Sequence, residues 1–239
     1  MVSIVESWSA QHIAALVATA VVSVLLVAGA RRRRDAWAVS IGCGLAAVIF
    51  GAYICEQLTY VLRGDWTAQV NLPLHLTDAV TLASVVALWR PESARVVELV
   101  YFWALTASLQ AVLTPDLGYG FPDLLFFTYF ATHSGAVAAA FLLVLGARHT
   151  PRRGAVWRVY AATLAVALLA AAGSLLTGGN YMYLRRKPAH DSLLDVMGPW
   201  PAYIPVAAAF GLLLFLTLAA CARLITPRPT AGTITHNDG

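Results

Sequence analysis

The sequence predicts an all-α membrane protein, a single bundle of seven transmembrane helices over residues 1–225. Of its 239 residues, 59% are hydrophobic and only 12% are charged, a balance typical of polytopic membrane proteins. The apolar runs are long and unbroken, which favours helices over the short alternating strands of a membrane barrel. Because a helix needs about 20 mostly apolar residues to cross a bilayer, we predict seven spans, at about 10–30, 36–62, 72–90, 95–114, 123–147, 155–177 and 201–224.

The basic residues predict how the bundle is oriented. With the N-terminus outside, twelve of the 16 basic residues lie in cytoplasmic segments, as the positive-inside rule requires. The first span is expected to be retained, because its basic cluster at 31–34 follows the apolar run instead of preceding it. The C-terminus is then cytoplasmic, and the polar residues 226–239 are predicted to form a disordered tail. The expected location is the cell membrane, with multiple passes.

The net charge of +4 follows from this orientation. The sequence has no surface that alternates aromatic and basic residues, so a nucleic-acid partner is not predicted. The expected partners are membrane lipids or lysophospholipids, and no oligomeric state is predicted.

The first two spans carry polar residues near their predicted outer ends. His12 in the first span is a single interfacial histidine, which is more often structural than functional. Glu56 in the second span lies about two turns from Arg63, and the sequence leaves it as either a structural partner or a site residue. It belongs to a polar stripe at helical spacing that is predicted to face the bundle, Tyr53, Glu56, Gln57 and Tyr60.

The third span begins with the default functional site, because its ionisable residues stand where the chain should enter hydrocarbon. Asn71 is the expected N-cap, and Pro73 is tolerated in the first helical turn. His75 and Asp78 then share a face, whereas Thr77 lies about 200° around the helix from His75. Thr77 is either a nucleophile whose base comes from another helix or a structural threonine that bonds to a backbone carbonyl.

The fourth and fifth spans add polar groups at the same predicted depth. Gln110 shares one face of the fourth span with Trp103 and Thr106. In the fifth span, His133 lies about ten residues, or roughly 15 Å, from the boundary, which places it near the midplane. A histidine at that depth is predicted to line a polar interior, and a structural hydrogen bond to a neighbouring helix is the alternative.

The last two spans carry little chemistry of their own. The sixth is rich in alanine and glycine, which permits close helix packing. The seventh has no ionisable residue between Pro205 and Cys221. The loop between them is long and aromatic, and it is predicted to form an interfacial cap over the outer mouth of the bundle. Asn180 in this loop is counted among the predicted substrate-binding residues.

Four motifs occur in order between residues 70 and 205. They are Leu72-Pro73-Leu74-His75-Leu76, Tyr119-Gly120-Phe121-Pro122, Thr132-His133-Ser134-Gly135, and an aromatic stretch from Gly179-Asn180-Tyr181-Met182-Tyr183-Leu184 to Gly198-Pro199-Trp200-Pro201. Together they resemble the bacterial YwaF-type integral membrane proteins. The vertebrate relatives of that family are multipass proteins linked to acyl transfer on ether lysophospholipids.

The resemblance implies roles for two residues. The position of Thr77 is often a cysteine in that family, proposed to carry the acyl group, and a histidine on a later helix matches His133. A threonine hydroxyl is a weaker nucleophile than a thiolate, so the chemistry depends more on a well-placed base. The androgen-induced membrane hydrolases of branched fatty-acid esters look similar in using a threonine and a histidine within the bilayer.

The leading hypothesis is therefore a lipid acyltransferase or esterase that uses neither cofactor nor metal. Thr77 attacks an ester, His133 accepts its proton, and Asp78 or Gln110 orients groups in the site. Substrate binding is assigned to four further residues, His75, Gln110, Glu56 and Asn180.

Two alternatives stay open. One is a transporter or small-solute binding protein, in which the buried His75, Asp78 and His133 bind a proton or a solute; no internal repeat supports it. The other is a zinc-dependent lipid hydrolase, because His75, Asp78, His133 and Glu56 are possible zinc ligands.

Overall fold

The structure, a computed structural model, describes residue 5 and residues 8–32, 36–188 and 192–225. The all-α prediction is confirmed, and no strand occurs among the described residues. Seven helices follow one another along the chain: α1 (Ala10–Arg32), α2 (Ala36–Arg63), α3 (Leu76–Trp89), α4 (Ala94–Leu113), α5 (Leu124–Gly146), α6 (Ala155–Thr177) and α7 (Tyr203–Ile225). The predicted tail at 226–239 lies outside the described residues.

Six of these helices are long and apolar enough to cross a membrane, and α3 is the exception. Its 14 residues extend roughly 21 Å, less than the roughly 30 Å of a bilayer's hydrocarbon core. The prediction of a full third span at 72–90 is therefore replaced by a short apolar helix that follows a non-helical segment.

Helix α3 begins four residues later than the sequence suggested. Asn71 does not cap it, because the Asn71 side-chain oxygen already accepts the backbone N–H of Thr67 at 2.9 Å. The N-cap is His75, which has extended backbone angles and donates its N–H to Oδ2 of Asp78 at 2.9 Å. Pro73 lies before the helix rather than in its first turn, and the residue before a proline disfavours the helical region.

Two of the helices depart from α geometry. Helix α4 contains a π-helical stretch at Ala104–Ser108, and α5 ends in another at Leu142–Gly146. Such stretches often occur beside functional sites, because the extra residue re-aims the side chains that follow it. In α4 the stretch contains Thr106 and ends two residues before Gln110.

The core lies between α2, α3, α4 and α5. Its members are mainly small or aromatic, such as Ala46, Ile49, Phe102 and Ala139, all of which are fully buried. A Cβ atom on Gly135 would lie 2.6 Å from Cγ1 of Ile49, so the absence of a side chain lets α5 approach α2 closely. Helices α6 and α7 instead leave many large apolar side chains exposed, as expected of helices that face lipid.

We call the end of the bundle where α3 begins the capped end and the opposite end the basic end. At the basic end, Glu98 of α4 is almost completely buried, with 2% of its side chain exposed. Its carboxylate accepts hydrogen bonds from Nε of Arg152 at 2.9 Å and from Nη2 of Arg158 at 2.9 Å. These charge-assisted bonds tie α4 to α6 and to the loop before it.

Candidate functional site

A cavity of about 1000 Å³ opens at the capped end of the bundle. One side is polar and is formed by residues of α2, the start of α3, α4 and α5. The other side is apolar and is formed by residues of α6 and α7, among them Leu164, Ala167, Ala207, Phe210 and Leu214. The cavity can therefore hold a molecule that is polar at one end and apolar at the other.

Six of the seven predicted site residues line this cavity, namely Glu56, His75, Thr77, Asp78, Gln110 and His133. They come from α2, the start of α3, α4 and α5, so the fold brings together residues up to 77 positions apart. Asn180 is not among the lining residues. Its side-chain oxygen accepts the backbone N–H groups of Arg185 and Arg186 at 3.0 and 3.1 Å, and its amide donates to the carbonyl of Arg186 at 2.9 Å.

Thr77 is the second residue of α3, and its hydroxyl has no hydrogen-bond partner among the described residues. The expected bond to a backbone carbonyl is absent because the residue four positions earlier is Pro73, which precedes the helix. The threonine of α3 that does bond to a carbonyl is Thr81, whose hydroxyl donates to the Thr77 carbonyl at 2.8 Å. The Thr77 hydroxyl is thus available to a molecule in the cavity.

His133 lies on α5 beside Tyr129, with ring centroids 4.3 Å apart. Its Nδ1 atom is buried and has no hydrogen-bond partner in the described part of the chain. The alternative of a structural hydrogen bond to a neighbouring helix is not found there. Because the residue lines the cavity while Nδ1 is buried, its Nε2 atom is the nitrogen able to act on a bound molecule.

His75 is held at the mouth of α3 by residues that are distant in sequence. Its Nδ1 atom accepts the backbone N–H of Met182 at 3.3 Å. The rings of Tyr181 and Tyr183 pack against the imidazole, with centroids 5.2 and 6.1 Å away. Burial lowers the pKa of the His75 imidazole, while the carboxylate of Asp116 acts in the opposite direction. The neutral imidazole is therefore favoured.

The carboxyl group of Glu56 faces the cavity and has no ion-pair or hydrogen-bond partner among residues 8–32, 36–188 and 192–225. The alternative of a structural partner for Glu56 is thus not found among these residues. Arg63 instead bonds both carboxylate oxygens of Asp123, each at 3.1 Å. The Gln110 amide donates to the Thr114 hydroxyl at 2.6 Å. Trp103, which shares the predicted polar face, bonds Thr163 of α6 at 2.8 Å instead.

Residues 178–188 and 192–202, between α6 and α7, cover the cavity, and we call them the cap. The Tyr181 hydroxyl donates to the carbonyl of Ala68 at 2.7 Å and accepts the N–H of Leu72 at 3.1 Å. The Tyr183 hydroxyl donates to Oδ2 of Asp116 at 2.9 Å. These bonds join the cap to the loops that precede α3 and α5.

The cap lies very close to the segment before α3 at one glycine. A Cβ atom on Gly179 would lie 2.3 Å from the backbone oxygen of Gln69, so only glycine fits there. Met182 and Tyr183 follow with φ angles of 51° and 55°, a left-handed conformation that is unusual for residues with side chains. Both residues line the cavity.

Two sets of contacts were not predicted from the sequence. The first is the contacts of Tyr181, Tyr183 and Asp116 around His75. The second, which we call the Glu98 cluster, is the bonding of Glu98 to Arg152 and Arg158. The aromatic run at 181–183 was the available signal for the first. An acidic residue inside an apolar span was the signal for the second.

No group of three or more histidine, cysteine, aspartate or glutamate side chains in the described residues is arranged to hold a metal ion. Glu56, His75, Asp78 and His133 share the cavity without forming such a group. A zinc-dependent mechanism would require it.

Comparison of the chain with curated proteins and with solved structures found no match. The family model described as the TMEM164 family matches residues 7–219 of the 239. The match includes all seven helices up to the last turns of α7, and with the six apolar helices it indicates a multipass membrane protein. The chain therefore belongs to the TMEM164 family.

Proposed function

We propose that this protein transfers or hydrolyses an acyl ester of a membrane lipid, with Thr77 as the nucleophile and His133 as the base. One observation carries the proposal: the unbonded hydroxyl of Thr77 and the imidazole of His133 line the same cavity, which is polar at one end and apolar at the other. A lipid has matching polar and apolar ends, whereas a small solute would leave the α6–α7 side of the cavity without a partner.

The chemistry needs two half-reactions. In the first, the Thr77 oxygen attacks the ester carbonyl carbon while its proton passes to Nε2 of His133; the lipid alkoxide then leaves and takes that proton. In the second, the hydroxyl of a lysophospholipid, or water, attacks the acyl-threonine and loses its proton to His133. Thr77 is regenerated as its oxygen regains a proton, and the product is a new ester or a fatty acid.

His133 would act without an orienting group, because Nδ1 has no acceptor among the described residues. In a serine hydrolase the third member of the triad holds the histidine in the productive tautomer. The site is therefore a dyad, in which Asp78 supports the start of α3 rather than the base, since its carboxylate accepts the N–H of His75.

The proposal also includes the orientation of the bundle in the membrane and the assignment of the chain to the YwaF-type proteins. Arg31, Arg32, Arg95, Arg152 and Arg158 lie at the basic end, which fits a cytoplasmic location of that end under the positive-inside rule. The cavity would then open toward the outer leaflet of the cell membrane. The four sequence motifs support a YwaF-type member, and the single domain proposed for residues 1–225 holds the whole site.

Lipid mass spectrometry tests the proposal. Purified protein in bilayer discs is given mixed lysophospholipids and an acyl donor with an isotope-labelled chain. Thr77→Ala and His133→Ala are expected to lower product formation at least about 100-fold, whereas Thr77→Ser, which keeps a hydroxyl, stays within about tenfold of wild type.

The matched control is Thr217→Ala, because Thr217 lies on α7 outside the cavity and bonds only the carbonyl of Leu213. Its activity should equal that of wild type. Turnover by Thr77→Ala at the wild-type rate would show that the nucleophile is another group.

A second candidate, binding of a cationic solute, is favoured by the carboxyl groups of Glu56 and Asp78. Both face the cavity, and neither has a basic partner among the described residues. This candidate predicts that wild type forms no labelled product but is stabilised thermally by a small organic cation such as choline, and that Glu56→Gln removes the stabilisation.

A further inference from the structure

We propose that His75 donates its Nε2–H to the carbonyl oxygen of the ester, and that the cap holds His75 in the tautomer required for this. The inference rests on the proposed function, because it assigns a second group that acts on the same ester. It gives the cap a role in the chemistry in addition to covering the cavity.

The bond from the cap determines which nitrogen of His75 carries the proton. Nδ1 accepts the N–H of Met182, so its lone pair is occupied and it carries no hydrogen. A neutral imidazole has one N–H, which is therefore on Nε2. The neutral state is also the one that burial favours, since it lowers the pKa of this imidazole.

The Nε2 atom is the part of His75 that can reach a bound molecule. It has no hydrogen-bond partner among the described residues, yet it is not one of their buried unpartnered atoms. The residue lines the cavity two positions before Thr77. A donor that is neither bonded nor enclosed is available to the carbonyl that Thr77 attacks.

His75 is the N-cap of α3, with an extended ψ of 151°. The predicted angle of about 200° between the His75 and Thr77 side chains assumed that both residues are helical, so it does not apply. His75 still does not serve as the base for Thr77, because Nδ1 is occupied and Nε2 carries a proton. It is a donor, and His133 is the acceptor. The two histidines thereby have complementary roles in one cavity.

The donor acts on the charge that develops during the attack. When the Thr77 oxygen bonds the carbonyl carbon, the π electrons move to the carbonyl oxygen, and His75 Nε2–H bonds that oxyanion without giving up its proton. Collapse of the intermediate restores the carbonyl and expels the alkoxide, which takes the proton held by His133. Loss of one such donor typically lowers kcat by about 10²–10³-fold.

The cap is held in a strained conformation at the point where it bonds His75. Met182 and Tyr183 have φ angles of 51° and 55°, which a residue with a side chain adopts only when its surroundings impose it. The surroundings here are the bond from Tyr183 to Asp116 and the close approach of Gly179 to Gln69. Met182 is thus a positioning residue, acting through its backbone N–H.

Nitrogen NMR of protein labelled with ¹⁵N-histidine tests the tautomer without any substrate. The six histidines are resolved by the signal that disappears in His75→Gln. We expect the wild-type His75 signals to report a protonated Nε2 and an unprotonated Nδ1 at neutral pH. Gly179→Ala should displace the cap and mix the two tautomers. The matched control, Gly51→Ala, should not, because a Cβ at Gly51 meets nothing within 4 Å.

Kinetics test the chemical role. His75→Leu should lower kcat about 100-fold with KM changed less than about threefold, and His75→Gln, which retains an N–H donor, should recover part of the loss. A protonated Nδ1 in wild type, or a kcat for His75→Leu within twofold of wild type, overturns the inference. If His75→Leu retains its activity while Thr77→Ala is inactive, the proposed function is kept and only the role of His75 is rejected. A wild type without turnover overturns both.

Discussion

The two ends of the bundle differ in whether their acidic residues form ion pairs. At the basic end, Glu98 is almost fully buried and accepts bonds from both Arg152 and Arg158. At the capped end, Glu56 and Asp78 face a cavity in which the described residues offer no basic partner. A buried carboxylate is costly unless it is paired. Glu98 therefore stabilises the fold through its ion pairs, whereas Glu56 and Asp78 form no ion pair with the described residues and place carboxyl groups at the cavity surface.

The largest effect on stability is expected when both arginines that bond Glu98 are removed. Arg152→Ala with Arg158→Ala leaves Glu98 without a basic partner and with the backbone N–H of residue 152 as its remaining donor, so the free energy of unfolding should fall by more than in any other variant below. Thermal or denaturant unfolding of purified protein in detergent measures the change. Adding Glu98→Gln should recover part of the loss, because it removes the charge that lacks a partner.

The control for the double substitution is Arg95→Ala with Arg153→Ala, which removes the same charge from exposed positions near the same end. It should change the unfolding free energy by no more than about 1 kcal/mol. Equal losses in the two double variants would show that the Glu98 cluster contributes nothing beyond net charge.

Local sequence patterns were enough to predict the helical class. Apolar runs are a property of each segment, so they indicate the helices without knowledge of partners. Polar residues within those runs also indicated a shared interior, and six of the seven chosen ones line one cavity. Their catalytic and binding roles stay predictions.

The sequence could not predict what depends on competition or on distant partners. Asn71 and His75 can each cap a helix, and the choice depends on whether Thr67 occupies the Asn71 side chain. Glu98 is satisfied by residues 54 and 60 positions away. The tautomer of His75 depends on Met182, 107 positions away. The spacing of residues along the sequence does not indicate any of these hydrogen-bond partners.

Glu56→Gln tests whether the unpaired carboxyl group at the capped end contributes to stability. Because the substitution removes a half-buried charge without a partner, the unfolding free energy should stay unchanged or rise by about 1 kcal/mol. At the basic end, Glu98→Gln should instead lower it by about 2 kcal/mol, since two arginines lose their acceptor. Thermal unfolding of both variants under one condition makes the test. A loss for Glu56→Gln as large as that for Glu98→Gln would remove the distinction between the two ends.

The smallest expected effect concerns an ion pair at the capped end that joins two helices, Arg63 with Asp123. Burial opposes ionisation of Asp123, but the N–H of Leu125 and the Arg63 guanidinium together hold the pKa of this carboxyl below its ordinary value of 3.8. A lowered folded-state pKa contributes stability that is fully present above pH 3.8 and is lost as the pH falls through the folded value.

Asp123→Asn removes the charge but keeps a good N-cap for α5. Because the pair is partly exposed, with 35% of Arg63 and 24% of Asp123 accessible, the loss at pH 7 should be less than about 1 kcal/mol. Melting temperatures of wild type and variant, followed from pH 7 downward, should begin to converge below pH 3.8 and meet below the folded-state pKa, where wild-type Asp123 is neutral as well. A gap that persists or widens below the folded-state pKa would mean that the pair of Arg63 and Asp123 contributes nothing through charge.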